Sequence, residues 1–326
     1  MIILFNEYFI YHLQRLRWDN VACETENCNR ILFVADPQLL GEVHEFWFAR
    51  SDSDRHIRRN YRQAFSHVRP DAVIFLGDLT DEASIADDAQ FRRYHKRFMK
   101  IFPKVEGVIM IYLPGDNDIG GEGYEPVKPL KFERFRRLFG SENYWNLKNN
   151  LSVYHINHIT DEIPKLTDEE IIEAQESLNA TRLLIGHYPI MQSGWFSEKA
   201  IGLLKPHVSF VAHHHLSSYV MNKISQLSYY PQTKPLMQTM TFDLKAIVSS
   251  LEILEIQVLT CSYRMGVLHI GFGQAVLADG KLHYTPLFIV NRFLQFGLYA
   301  VFLILFIAVN CCLKKHCEHP RYRRIK

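Results

Sequence analysis

The sequence is poor in cysteine and carries little net charge. Six cysteines in 326 residues are too few for a small fold held together by disulfides. A formal net charge of +2 excludes the strongly basic surface typical of nucleic-acid-binding proteins, so we expect no nucleic-acid partner. The chain also lacks the low apolar content of disordered and fibrous proteins, because 48% of its residues are hydrophobic. A folded globular body is therefore predicted.

The C-terminal region differs from the rest of the chain. Phe293–Leu313 contains no charged residue over 21 positions, which is long enough to cross a bilayer as a helix. The alternative is a buried core helix, but two lysines follow the stretch at once. The last residues, 314–326, contain six lysines or arginines and one glutamate, a net charge of +5, whereas the remainder has a net charge of −3. We predict a transmembrane helix over residues 290–313 and a basic cytoplasmic tail over residues 314–326.

This orientation places the body in a lumenal compartment, which agrees with two further features, the N-glycosylation acceptors and a pair of cysteines. Asn150 and Asn179 begin N-glycosylation acceptor sequences. Cys23 and Cys28 are near enough in sequence to form a small lumenal disulfide. The apolar N-terminus is interrupted by polar residues and is too short to span a bilayer alone. We predict a partial membrane or signal-anchor segment over residues 1–20.

Short apolar runs alternate with longer amphipathic runs between residues 30 and 285, which predicts an α/β fold with a largely parallel sheet. We expect the strands after residue 250 to form a second sheet that completes a sandwich, and residues 217–244 to form an irregular loop over the site. The predicted strands are Ile31–Ala35, Ala72–Leu76, Val108–Leu113, Leu151–Asn157, Arg182–Ile185, Val208–Val211, Leu251–Leu259, Val267–Gly271 and Gln274–Leu277. The predicted helices are Arg55–His67, Asp87–Phe102, Leu130–Phe139, Asp168–Leu178 and Ser197–Leu204.

Five of these strands end in residues that can bind a metal ion. One such aspartate is more often a turn or helix cap, but five in ordered succession are not explained by capping. Ligands of open α/β sheets bind beyond the carboxyl ends of the strands. We therefore expect these side chains to meet in one place. They are Asp36 and Gln38, Asp78, Asp116 with Asn117 and Asp118, His187, and His213 with His214 and His215.

Aspartates that converge on one point need a compensating cation, because unpaired buried charges of one sign are unfavourable. Mixed carboxylate, amide and imidazole ligands favour manganese, iron or zinc over calcium. Two such ions can activate water and hold a phosphate for hydrolysis. The pattern therefore predicts a site for two divalent metal ions, with manganese preferred.

The motifs that contain these residues resemble the five ordered motifs of the calcineurin-like metallophosphoesterases. Within them, the segments ADPQLLGE (residues 35–42), GDLTDE (residues 77–82) and HYP (residues 187–189) are similar to the metallophosphoesterase 1 group. Members of that group remodel GPI anchors by removing ethanolamine phosphate from the second mannose in the early secretory pathway. The resemblance implies a metallophosphoesterase β-sandwich flanked by helices over residues 30–285, followed by the transmembrane helix.

The resemblance also implies a ligand set, matched position by position. Asp36, Gln38, Asp78 and His215 match the ligands of the first metal. Asp78, Asp116, His187 and His213 match those of the second, with Asp78 as the bridge. Gln38 stands where histidine is usual, and its amide oxygen still ligates weakly. Asp116 stands where asparagine is usual, and its extra charge favours cation binding.

A further departure concerns the proton donor. Asn117 stands where the family has the histidine that contacts the phosphate and protonates the leaving group. An amide hydrogen-bonds a phosphate oxygen but is not a general acid. His214 is a candidate replacement, although it is also explained as a solvated surface residue. The enzyme is otherwise slow, or the protein only binds.

The resemblance implies a metal-dependent phosphodiesterase that removes ethanolamine phosphate from the GPI glycan. Its location is then the endoplasmic reticulum, its exit sites or the Golgi membrane, and its partners are GPI-anchored proteins or GPI lipid. The basic tail, which ends Arg323-Arg324-Ile325-Lys326, is expected to contact cargo receptors or coat proteins. Two alternatives stay open. One is a lipid or nucleotide phosphodiesterase on the same scaffold, and the other is a non-catalytic cargo adaptor for GPI-anchored proteins.

Overall fold

The computed structural model describes residues 1–23, 27–123, 125–165, 167, 180–192, 194–227 and 232–318. The predicted helix Asp168–Leu178 and the acceptor Asn179 lie outside this part of the chain. The strands of the first sheet are β1 (Cys28–Val34), β2 (Ala72–Phe75), β3 (Ile109–Tyr112), β10 (Met240–Asp243), β12 (Ile270–Ala278) and β13 (Lys281–Ile289). Those of the second are β4 (Tyr144–Leu147), β5 (Leu151–His155), β6 (Thr181–Ile185), β7 (Val208–Val211), β8 (Ser218–Lys223), β9 (Lys234–Pro235) and β11 (Glu252–Gln257).

The two sheets form the predicted sandwich flanked by helices. Their strand orders are β10-β13-β12-β1-β2-β3 and β4-β5-β6-β7-β11-β8-β9. The first sheet contains three adjacent parallel strands, β1-β2-β3, and the second contains four, β5-β6-β7-β11. Antiparallel strands extend both sheets. The helices are α1 (Trp47–Val68), α2 (Asp88–Ile101), α3 (Asp116–Ile119), α4 (Pro129–Phe139), α5 (Gly194–Leu204), α6 (Leu244–Ser249) and α7 (Arg292–Glu318).

Successive side chains of the central strands point alternately to the two faces of the sheet, and this alternation explains the two layers of the core. On β1, Ile31 and Phe33 point into the core between the sheets, whereas Leu32 and Val34 point to the core beneath the helices. Both sets are fully buried, as expected for parallel strands covered on both faces. The Phe33 and Phe210 rings stack across the sandwich with centroids 4.1 Å apart. The sheets are therefore held face to face by a continuous apolar layer.

The structure corrects the predicted division of strands between the sheets. The strands after residue 250 do not form a sheet of their own: β11 joins the second sheet, whereas β12 and β13 join the first beside β1. The predicted strands Val267–Gly271 and Gln274–Leu277 are replaced by one strand, β12. Two glycines interrupt its apolar pattern, and at Gly271 an added Cβ would lie 2.2 Å from the Leu287 carbonyl oxygen. Strand β13 was missed because it contains Pro286, which lies beyond the end of its pairing with β10.

The expected irregular loop over residues 217–244 is also wrong. Its described residues contain β8, β9 and β10. Strand β8 lies near the edge of the second sheet, and several of its residues, such as Tyr219 and Asn222, are only partly buried. Its sequence therefore lacks the continuous apolar run that marks the central strands. Helix α1 starts at Trp47, eight residues before the prediction, because its first two turns face solvent and carry no apolar periodicity.

The two ends of the described chain pack together. Residues 2–17, named here the N-terminal helical segment, form a helix with a π turn at Phe5–Phe9 and a last 3₁₀ turn at Gln14–Arg17. Asn6 and Gln295 exchange side-chain-to-backbone hydrogen bonds of 2.9 and 2.6 Å. Within the described residues, one helix, Arg292–Lys315, is long and apolar enough to cross a membrane. The predicted disulfide between Cys23 and Cys28 is present.

Candidate metal centre

The candidate metal ligands meet where the carboxyl ends of the central strands of one sheet face those of the other sheet. Asp36, Asp78 and Asp116 follow β1, β2 and β3 of the first sheet, whereas His187 and the segment 213–215 follow β6 and β7 of the second. The strands of the predicted parallel sheet are thus divided between two sheets, which present the ligands as two facing rows. Aspartates come from one side and histidines from the other.

Five carboxylate and imidazole side chains form two overlapping groups within the described residues. Asp116, His187 and His213 form one group, and Asp36, Asp78 and His187 form the other. In each group the donor atoms lie within 4.8 Å of one another. His187 Nε2 lies 2.9 Å from Asp116 Oδ1 and 3.5 Å from Asp78 Oδ1. His213 Nδ1 lies 3.5 Å from the same Asp116 oxygen.

Gln38 and His215 complete one side of the cluster. The Gln38 amide nitrogen lies 3.0 Å from Asp78 Oδ2 and 3.4 Å from His215 Nε2. Gln38 is buried and His215 is half-buried. The structure therefore brings together all seven side chains that the sequence predicted as ligands.

The donor set fits a metal pair better than it fits a metal-free network. Asp36 is fully buried, and neither of its carboxylate oxygens receives a hydrogen bond of good geometry from the described chain. A buried carboxylate without such partners is strongly unfavourable unless a cation compensates it. His187 Nδ1 lies 2.8 Å from the Leu76 carbonyl oxygen. This contact places a hydrogen on Nδ1 and turns Nε2 toward the cluster, which is the orientation of metal-bound histidines.

The backbone at these positions is strained. Five of the seven candidate ligands have positive φ: Asp36 (44°), Gln38 (37°), Asp78 (49°), His213 (67°) and His215 (61°). Positive φ is uncommon for residues other than glycine, and such strain concentrates at functional sites. The fold therefore holds these side chains in one arrangement at a cost in stability.

Charge distribution in the cluster follows from burial and from mutual contact. Burial raises the pKa of Asp36 to about 6, although the nearby His187 opposes this shift. Burial also raises the pKa of Asp78 well above its ordinary value. Burial would lower the pKa of His187, but the charge of Asp78 and the hydrogen bond with Asp116 outweigh it and raise that pKa to about 10. For Asp116, hydrogen bonds with His187 and His213 overcome burial and hold the pKa below its ordinary value.

The two candidate catalytic residues occupy different places. The side-chain amide of Asn117 donates to Asp78 Oδ2 at 2.8 Å, so Asn117 lies inside the cluster. His214 is exposed at the rim, with its ring centroid 5.4 Å from that of His213. Burial is the largest of the effects that lower the pKa of His214.

Three supporting residues received no specific role in the sequence reasoning. Asp118 accepts hydrogen bonds from the backbone of Gly115, Leu79 and Thr80, which joins the loops after β2 and β3. Glu82 accepts from two backbone N–H groups of the loop after Gln38. Tyr188 places its ring 4.2 Å from that of His213. The only signal for these residues was their position inside the motifs.

Comparison with known proteins identifies the fold family. Residues 29–238 match the sequence profile of the calcineurin-like phosphoesterases. The chain is 30% identical to mouse Metallophosphoesterase 1 over 154 residues, which cover 45% of this chain and 38% of the mouse protein. It is 30% identical to the Drosophila melanogaster Metallophosphoesterase 1 homolog over 149 residues, with coverages of 45% and 38%. The aligned segments span less than half the length of these curated relatives.

Similar solved structures share little sequence with this chain. A metallophosphoesterase from Sphaerobacter thermophilus superposes with a TM-score of 0.40 at 12% identity, covering 79% of this chain and 87% of the other. The purple acid phosphatase PPD1 from yellow lupin gives a TM-score of 0.47 at 11% identity, covering 80% and 52%.

Proposed function

Because the chain belongs to the calcineurin-like phosphoesterase family, we propose that it is a divalent-metal-dependent hydrolase of phosphoric diesters that works at a membrane. The observation that carries this proposal is the pair of overlapping carboxylate–imidazole groups around His187, together with the fully buried Asp36. A pair of divalent ions supplies Lewis acidity and a nucleophile at neutral pH when it is bound at such a site.

We assign the metal ligands to the seven side chains of the cluster, with manganese as the preferred metal and iron or zinc as substitutes. Their roles differ. The three aspartates provide negative charge, and the imidazoles provide neutral nitrogen donors. Gln38 provides an amide oxygen once its side chain turns, since its amide nitrogen now faces Asp78. The full set is Asp36, Gln38, Asp78, Asp116, His187, His213 and His215.

Asn117 is proposed to contact the phosphate and His214 to supply a proton to the leaving group. Asn117 has an amide that hydrogen-bonds an oxygen but has no proton to transfer as an acid. His214 lies at the rim, where a leaving group would depart toward solvent. Its lowered pKa favours the neutral imidazole, which makes it a weak donor at neutral pH.

The substrate that we propose is the ethanolamine phosphate on the second mannose of the GPI anchor. The support is the similarity to proteins named Metallophosphoesterase 1, together with the apolar helix α7 and the basic segment that follows it. We place the body on the lumenal side and the C-terminus in the cytoplasm, in membranes of the endoplasmic reticulum, its exit sites or the Golgi. This orientation rests on the basic tail and on Asn150, an exposed acceptor in the turn between β4 and β5.

The test uses the full chain purified in detergent with manganese. It is assayed with a GPI glycan that carries ethanolamine phosphate and with a bis-aryl phosphodiester. The proposal expects chelator-sensitive turnover of both, lost in Asp78→Asn and retained in Asp279→Asn, a matched substitution in the exposed β12–β13 turn. Turnover of the bis-aryl diester without any processing of the glycan would instead support a lipid or nucleotide phosphodiesterase.

Asn117 presents an amide inside the cluster where a proton donor is expected. This favours a second function, that of a cargo adaptor that binds GPI-anchored proteins without cleaving them. If wild-type protein binds the glycan with manganese but turns over neither substrate, the adaptor function replaces the hydrolase.

A further inference from the structure

Three adjacent aromatic side chains at the start of α1 are exposed to an unusual degree. Phe46, Trp47 and Phe48, named here the aromatic step, are 73%, 73% and 59% exposed. The rings of Phe46 and Phe48 stack with centroids 5.9 Å apart. Contiguous exposed apolar side chains of this size mark an interaction surface.

Contacts of the N-terminal helical segment give the direction of α1. Its Glu7 pairs with Arg55 at 3.6 Å, and its Gln14 hydrogen-bonds Asn60 at 2.5 Å. Residue numbers rise together on both elements, so the two helices run in the same direction. The first turn of α1 therefore points the same way as the beginning of the N-terminal helical segment.

The same two residues give the direction of α7. Glu7 contacts α7 at Arg292 and at Tyr299, at 2.8 and 3.0 Å. Gln14 instead accepts a hydrogen bond from the backbone of Val290, two residues before α7, at 3.0 Å. Residue numbers now run in opposite senses, so the segment is antiparallel to α7. The beginning of the segment therefore points in the direction in which α7 extends away from the sheets. The aromatic step, at the first turn of α1, points in the same direction.

An ion pair shows how far along the axis of α7 the aromatic step lies. Asp52 on α1 binds Arg292, the first residue of α7, at 2.7 Å. Trp47 precedes Asp52 by five residues, which is about 7.5 Å along a helix axis. Interfacial helices bury their apolar faces to about 5–10 Å in a bilayer, and tryptophan concentrates at this depth. A further exposed apolar side chain, Leu268, lies near the start of α7 and is 79% exposed. The carbonyl oxygen of the preceding residue, Val267, accepts a hydrogen bond from Asn291, the residue before α7.

A single loop, residues 39–45, connects the metal centre to the aromatic step, and hydrogen bonds to Glu82 hold this loop in place. Gln38 lies eight residues before Phe46, so the two are at most about 28 Å apart. Glu82 accepts hydrogen bonds from the backbone N–H groups of Val43 and His44 at 2.9 and 2.7 Å. Glu82 itself follows Asp78 by four residues, so the loop after β2 connects the metal centre to the segment that leads to the aromatic step.

We propose that the aromatic step inserts into the interfacial layer of the bilayer that α7 crosses. The inference rests on the proposed function, because it takes α7 as a membrane span. Insertion holds the metal centre beside the lipid surface, where it selects phosphoesters carried by membrane molecules over those free in solution. The partner is therefore the lipid interface itself.

Tryptophan fluorescence tests the insertion directly. Neither α7 nor the N-terminal helical segment contains tryptophan, so only Trp18, Trp47, Trp145 and Trp195 report. The full chain is reconstituted in phosphatidylcholine vesicles with and without bromine on the acyl chains. We expect bromolipid quenching of the wild type that is largely lost in Trp47→Phe and retained in Trp195→Phe, whose position is 65% exposed on α5. Absence of quenching, or its persistence in Trp47→Phe, overturns the proposal.

Activity separates failure of this inference from failure of the proposed function. In vesicles, Trp47→Glu is expected to lower kcat/KM at least about fivefold for a phosphodiester embedded in the bilayer, with kcat/KM for a soluble bis-aryl diester unchanged. Equal effects on both substrates, or on neither, overturn the membrane role of the aromatic step. Loss of vesicle co-flotation by the wild type, or loss of all diester turnover, instead contradicts the proposed span or the proposed hydrolase.

Discussion

Asn117 holds Asp78 with both of its nitrogen donors. Its backbone N–H donates to Asp78 Oδ1 at 3.0 Å, and its side-chain amide donates to Asp78 Oδ2 at 2.8 Å. Asp78 lies at the centre of the cluster, 3.5 Å from His187 Nε2. Asn117 therefore orients the carboxylate on which the site is built, in addition to any contact with a phosphate.

The first prediction concerns the missing general acid. Asn117→His is expected to raise kcat at least about tenfold for a diester with an alkoxide leaving group, since a positioned proton donor contributes ~10²–10⁴-fold. It should change kcat little for a nitrophenolate leaving group, which departs without a proton. The measurement is steady-state kinetics of both substrates with manganese. A uniform fall for both would show that orientation of Asp78 by the amide matters more than proton donation.

The second prediction concerns Asp36, whose oxygens are buried without partners. Burial disfavours the charge of Asp36 more than the nearby His187 compensates it. Asp36→Asn removes this charge, so in chelator it should raise the free energy of unfolding by about 1–3 kcal/mol. Manganese at 100 times its Kd should stabilise the wild type by about 2.7 kcal/mol and stabilise this variant much less. Urea titrations with and without manganese measure both effects. A variant that is less stable in chelator would indicate a structural role for this aspartate.

The third prediction concerns the close approach of two loops. A Cβ added at Gly115 would lie 2.1 Å from Asp78 Oδ1. Gly115→Ala should therefore displace that carboxylate and weaken manganese binding about 5- to 150-fold, the equivalent of the 1–3 kcal/mol typical of overpacking. Isothermal titration calorimetry measures the binding. Gly202→Ala is the control, because nothing lies within 4 Å of its added Cβ and alanine favours its helix; equal affinities in the two variants would contradict this reasoning.

The fourth prediction concerns pH and Glu255, which is fully buried on β11 and accepts hydrogen bonds from the backbone of Ile190 and Met191. Burial raises the pKa of Glu255 from 4.5 to about 7. The folded state thus favours the protonated carboxyl. Its stabilising contribution is complete below pH 4.5 and falls by about 3 kcal/mol as the pH rises to 7. Glu255→Gln should remove this part of the pH dependence.

The measurement is the difference in unfolding free energy between the wild type and Glu255→Gln across pH 4.5–7.5, which cancels the titration of the metal centre. Glu252→Gln, at the partly exposed start of the same strand, serves as the control. A wild-type minus Glu255→Gln difference that stays constant with pH would refute the assignment.

The local sequence pattern was sufficient to predict the central strands and to predict that the candidate ligands lie close together. The runs that end at Asp36, Asp78, Asp116, His187 and His213 are apolar on both faces, and strands of this kind are buried wherever they lie. Local pattern was insufficient for β12 and β13. Gly271 and Pro286 break their apolar runs, and only the pairing of these strands with each other, with β1 and with β10 shows that the fold accommodates them. The roles of the seven side chains as ligands remain predictions until metal is measured.

The sequence by itself determined the central strands, the order of the motifs and the chemistry of the donors, because these depend on periodicity and residue type over short distances. Only the tertiary structure decided that aspartates approach from one sheet and histidines from the other, since pairing between sheets depends on long-range packing. It alone decided the positive φ of Gln38 and His215 and the lack of partners at Asp36. It also decided that the first turn of α1 points along α7, because that direction follows from contacts between segments nearly 300 residues apart.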